Sequence, residues 1–421
     1  MLTVMGNGVL TRRLEDMANS ILSIGVGAGL ILAGAGCSGS RTAARDRQVA
    51  VPMLGSAGAA TTSRDDLTRT VLQMEARLAS KPDDAVAAVT LADALIRQTR
   101  VSGNPALAWR AERALARVLT AQPDHFYARR MLAAVLLSQH RFREAVQAAE
   151  RALQIRRDDA WLHGVLGDAH LELGEYEQAF AAFDTMAERR PDAAAYARAS
   201  YARELQGDLA GAITVMKMAL EATSARDPES LAWHHAQLGH LYLSANQLAE
   251  AHREYRHADF VFPDHPLAAE GLARAMAADG AFAAALVRVK QLLARTPSPA
   301  LLAFAGDLLS ALGRTGEAET QYRLAEAAWQ TDAPEPARLA LFLADRGRRI
   351  DDAVRLAERA AADRADIFTA DALAWAYFKA GRLADARTAI ARALRTGTRD
   401  RGIRRHADAI AGAHREVGGS R

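Results

Sequence analysis

The sequence predicts an all-α superhelical solenoid of about nine helix-turn-helix repeats, and three observations carry that prediction. The 421-residue chain is half apolar with only 12 prolines, a composition that suits one long helical array. The stretch Leu238-Gly239-His240-Leu241-Tyr242, followed by Ala251, Tyr255 and Pro263, reads as two short amphipathic helices joined by a polar turn. Alanines at one fixed place in such units (Ala111, Ala145, Ala179, Ala212, Ala251, Ala285, Ala318, Ala353 and Ala386) lie 34, 34, 33, 39, 34, 33, 35 and 33 residues apart. A lone pair of short helices buries too little apolar surface to be stable, so each unit requires its neighbours.

Within the unit, Leu238 and Tyr242 are four apart and share a helix face, while Gly239 beside them lets a second helix approach. Ser244-Ala245-Asn246-Gln247 forms the turn, and Pro263 ends the second helix. The spacing of a Leu-Gly pair, a Tyr, an Ala, an aromatic and a Pro resembles the tetratricopeptide repeat (TPR). The resemblance implies a right-handed superhelix whose first helices line a concave surface and bind protein segments.

The remaining elements follow in chain order. Ile21 to Gly36 is an uncharged run, too short for a comfortable span and suited to the apolar core of a secretion signal, with Arg12 and Arg13 before it. It ends in Gly34-Ala35-Gly36-Cys37, which resembles a bacterial lipoprotein signal in which Cys37, the single cysteine, is cut and acylated. Serine after that cysteine implies the outer rather than the inner membrane. One cysteine also excludes an intramolecular disulfide and a thiolate metal cluster within the chain. Residues 1–37 are thus expected to be a leader and 38–64 a flexible tether with a reach on the order of 30 Å.

Residues 65–398 are expected to form the solenoid, entered by an amphipathic helix over Asp65 to Ser80. The fourth pair departs from the pattern, with Ser200 and Arg203 where Gly and Tyr are wanted, and an insertion follows it near Ser224-Ala225-Arg226-Asp227-Pro228. Residues 399–421 are expected to be a capping helix and tail, with Ile403, Ala407, Ile410 and Ala411 as its apolar stripe and Arg399, Arg401, Arg404, Arg405 and His406 as a solvated face.

Chemistry is sought and not found in the sequence. His235 and His240 are five apart and His234 and His240 six, so neither pair aligns imidazoles on one helix face, and no metal or cofactor is expected. Gly25-Val26-Gly27-Ala28-Gly29 lies in the leader with no strand before it. No serine or cysteine nucleophile has a visible base, so no enzyme is expected. A formal charge of +3 on 53 basic and 50 acidic residues gives no basic field for nucleic acid.

The TPR resemblance places Trp161, Asp168, Tyr201, Trp233, His240, Arg274, Asp307, Phe368, Asp371, Trp375 and Phe378 at positions that point into the concave surface. Tryptophan and tyrosine are common interface anchors, so an aromatic groove for an extended or helical partner segment is expected. The expected protein is a membrane-anchored envelope scaffold that assists complex assembly. Two other readings stand beside it: a glycan-contacting component of exopolysaccharide export, and a cytosolic adaptor.

Overall fold

The computed structural model describes residues 63–331 and 335–418, with side chains to residue 413. Cys37, the leader and the expected tether up to residue 62 lie outside the described residues, whereas Ser63 and Arg64, expected in the tether, already begin the first helix. Among the described residues there are twenty helices and no strand. The first, α1 (Arg64–Ser80), opens with a capping box between Ser63 and Asp66. Nine pairs follow: α2 (Ala85–Ser102) with α3 (Ala106–Ala121), α4 (Phe126–Ser138) with α5 (Phe142–Ile155), and α6 (Ala160–Leu173) with α7 (Tyr176–Arg189). Next come α8 (Ala193–Leu205) with α9 (Leu209–Glu221), α10 (Pro228–Ser244) with α11 (Leu248–Val261), and α12 (Pro266–Ala278) with α13 (Phe282–Arg295). The last three are α14 (Pro299–Ala311) with α15 (Thr315–Thr331), α16 (Pro336–Asp345) with α17 (Ile350–Asp363), and α18 (Ile367–Lys379) with α19 (Leu383–Ala393). Helix α20 (Arg401–Gly418) closes the chain.

Similar local chemistry recurs along the array, although α12 and α16 start without a side-chain cap. First helices start on side-chain caps such as Asp159, Asp192 and Asp366, whose carboxylates accept from Leu162, Ala195 and Thr369 backbone N–H groups at 2.9–3.0 Å. Each pair then turns through a residue in the left-handed region, Gly103, His140, Gly174, Gly207, Asn246, Gly280, Gly313, Gly347 and Gly381 in order, with Arg349 as a second one in the eighth pair. Seven of the nine are glycine, the residue with no steric cost there.

The periodic alanines are the hinge of the packing. All nine are buried on the second helices, because a methyl group is all that fits where the two helices of a pair cross. Large rings from second helices then enter holes left by glycines: a Cβ on Gly239 would sit 2.7 Å from the Tyr255 ring, one on Gly271 of the next pair 2.1 Å, and one on Gly306 2.3 Å from Tyr322. Ser200 keeps the fourth pair in register without glycine, since its buried hydroxyl donates to the Ala212 carbonyl at 2.7 Å.

Successive superhelical turns touch edge to edge. Arg64 donates to the Asp264 carbonyl, 200 residues away, at 2.8 Å, and Arg97 and Arg100 reach Asp227 and the fully buried Glu229. Further along, the Leu173 carbonyl accepts from the Ala365 N–H at 3.1 Å, Arg364 donates to the Glu172 carbonyl at 2.9 Å, and Arg395 donates to the Gly174 carbonyl at 2.6 Å. The 192-residue step from Glu172 to Arg364 spans between five and six pairs. The solenoid therefore winds tightly enough for each turn to lean on the next, which closes the concave side laterally.

Candidate functional site

That closure decides what becomes of the expected groove. Six of its eleven residues, Trp161, Asp168, Trp233, Arg274, Asp371 and Trp375, are buried, which corrects the expectation of an open aromatic trough. The physical reason is that the same or neighbouring first helices, and the capping helix at the end, supply partners for them. The Arg130 guanidinium covers the Trp161 ring at 4.0 Å. Asp168 takes hydrogen bonds from Arg198 at 3.0 and 3.1 Å, and burial pushes its carboxyl up to about 7 against the pull of that arginine. Trp233 meets His234 edge-on at 5.1 Å. Arg274 donates to Glu270 at 2.9 Å and lies over Phe304 at 4.5 Å.

Trp375 packs the end of the solenoid. Its ring stacks on His406 of α20 at 4.1 Å and on Phe378 at 5.1 Å, and its Nε1 donates to Asp345 at 2.9 Å. His406 in turn donates from Nδ1 to Asp371 at 2.9 Å. Burial disfavours charge on that imidazole, but the Asp371 and Asp345 carboxylates prevail and raise it to about 9. So Trp375, Phe378 and Asp371 hold the capping helix.

The others are half-buried. His240 meets Tyr255 edge-on at 5.4 Å. Asp307 accepts from Tyr322 at 2.9 Å and Arg346 at 2.5 Å. Tyr201 and Phe368, with Asp371, line a cavity of about 140 Å³ on the inner side of the C-terminal pairs.

Most of the wall of that cavity was not expected. Trp329, Phe342, Arg338, Arg346, Arg405 and His406 complete it. Trp329 sits at the end of a second helix, where the repeat pattern assigns no inward role, so only the packing of α15 against α16 brings it there. Arg346 lies over the Tyr322 and Phe342 rings, 4.2 Å from each, and Arg405 is 3.6 Å from Asp345. Cations and carboxylates are thus interleaved with aromatic faces along this wall.

Comparison with known proteins agrees with this architecture. Two family models described as tetratricopeptide repeat match residues 110–160 and 136–203. No curated protein matches the chain. Among solved structures, the chain is similar to one in the APC/C hetero-tetramer Cut9-Hcn1, at 15% identity and a TM-score of 0.52, covering 75% of this chain and 60% of that one. It is also similar to a human IFIT1 dimer with m7Gppp-AAAA, at 15% identity and a TM-score of 0.50, covering 79% and 78%. These likenesses show the fold: an all-α, TPR-like solenoid, a scaffold architecture. Neither family match is to a catalytic domain.

Proposed function

We propose that the chain is a non-enzymatic scaffold of the bacterial cell envelope, held to a membrane through Cys37, which takes part of a partner protein into the cavity beside Tyr201 and Phe368. The observation that supports this reading most is the cavity itself, where Tyr176, Tyr201, Trp329, Phe342 and Phe368, on five different pairs, converge. An α-helix is about 10–12 Å across and does not enter a space of this size. The partner therefore inserts a side chain from an extended or helical segment rather than a whole helix. Anchoring would place this site at a membrane surface, and no described helix is itself long and apolar enough to cross one.

The test has two arms. Peptide and glycan arrays are probed with the purified protein and with Phe368→Ala; peptide binding that falls about tenfold in the variant, roughly 1.4 kcal/mol, supports the reading. Binding to glycans alone would replace it with a role in polysaccharide export. Fractionation of cells carrying the parent and Cys37→Ser tests the anchor: release of the variant from the membrane is expected, retention on it would rule out a lipid at Cys37, and a parent found in the cytosolic fraction would leave a cytosolic adaptor.

A further inference from the structure

A second site lies on the fifth pair, away from the cavity. His235 on α10 faces Glu254 and His257 on α11, and the potential ligand atoms of the three side chains all lie within 4.8 Å of one another. His235 Nδ1 is 2.8 Å from Glu254 Oε2, and the His235 and His257 rings meet edge-on at 5.4 Å. Glu254 and His257 are three apart on α11 and so share a face. We propose that these three residues bind a divalent transition-metal ion, Zn²⁺ by the chemistry of the set.

Two imidazoles and one carboxylate match zinc's preference for nitrogen with one oxygen, whereas calcium and magnesium require oxygen throughout. Zinc bonds of about 2.0–2.2 Å demand that the three donor atoms draw together around the ion. His257 is exposed and turns without disturbing the core, while Glu254 is buried and His235 half-buried, so two ligands are fixed and one closes over the ion. The exposed side leaves a fourth position for water. Arg253 Nε, 3.4 Å from the other Glu254 oxygen, is half exposed and free to withdraw when a cation arrives. The ion ties α10 to α11 in the pair whose start, at Asp227 and Glu229, also carries the contact to α2.

Calorimetric titration of the tag-free, EDTA-dialysed full chain with ZnCl₂ tests the site. One ion per chain is expected, together with a visible d–d band of four-coordinate Co²⁺ when cobalt is used instead. His257→Ala, at an exposed position, is expected to fold normally by circular dichroism and to weaken Zn²⁺ binding by more than about 100-fold, beyond the 10–100-fold of losing a mere supporting group. His252→Ala, on the same helix but 2.5 Å from Asp279, is expected to bind as the parent does. No binding at micromolar free zinc, or binding that survives His257→Ala, overturns the proposal.

Discussion

The Tyr176 hydroxyl accepts a 2.9 Å hydrogen bond from the backbone N–H of Ile367, 191 residues further along the chain. That N–H belongs to the first turn of α18 and has no partner within its own helix. A repeat early in the array thus satisfies the start of a late one, and the contact joins the two superhelical turns. Beside it, Gly174 has φ +81° and lies so close to Ala365 that a Cβ would sit 2.4 Å from its carbonyl carbon.

Removing the hydroxyl with Tyr176→Phe strands a buried donor, for which the cost is about 1–3 kcal/mol. Gly174→Ala adds steric conflict and a strained backbone to the same seam, so it is expected to part the turns. Small-angle scattering should show a larger radius of gyration for Gly174→Ala than for the parent. An unchanged radius would mean that the seam does not hold the winding.

What was legible in the sequence is local. The period of the alanines places both helices of every pair, because each alanine marks a crossing that admits nothing larger. Contacts between turns leave no such trace: Tyr176 occupies an ordinary second-helix position, and nothing in its neighbourhood names Ile367. The burial of Trp375 was hidden for the same reason, since its cover, His406, lies on a helix that reads as a solvated cap. His235 was weighed only against histidines of its own helix, whereas its companions Glu254 and His257 come from α11. Tyr201 and Phe368 were found by position within the repeat, but Trp329 is outside the positions that rule considers.

The glycine holes give a second prediction. Tyr255 is fully buried between Gly239 and Gly271, so its ring has nowhere to retreat when Gly271→Ala places a methyl 2.1 Å away. Overpacking of this kind costs about 1–3 kcal/mol, which outweighs the gain of up to about 1 kcal/mol from better helix propensity. Gly412→Ala is the control, since a Cβ there meets nothing within 4 Å. Urea unfolding should show the first variant destabilised and the second unchanged or slightly stabilised. Equal effects would mean that the hole is not filled as described.

The capping helix should respond to alkali through His406. Its imidazole is raised to about 9 when folded, against about 6.5 in an unfolded chain. Between those values the folded state binds the extra proton, so the group's contribution is fully present below pH 6.5 and declines as pH rises through 9. Because His406 stacks on Trp375 and bonds Asp371, its loss of charge loosens α20 before the rest of the array, as terminal units of a stacked chain do. Thermal melts and tryptophan emission followed from pH 6.5 to 9.5 should show this loss in the parent. His406→Gln, which retains a donor but carries no charge, should start less stable and vary little across that window. If parent and variant lose stability in parallel, the alkaline response belongs to other groups, and the Asp371–His406–Trp375 contact is packing without a proton-dependent part.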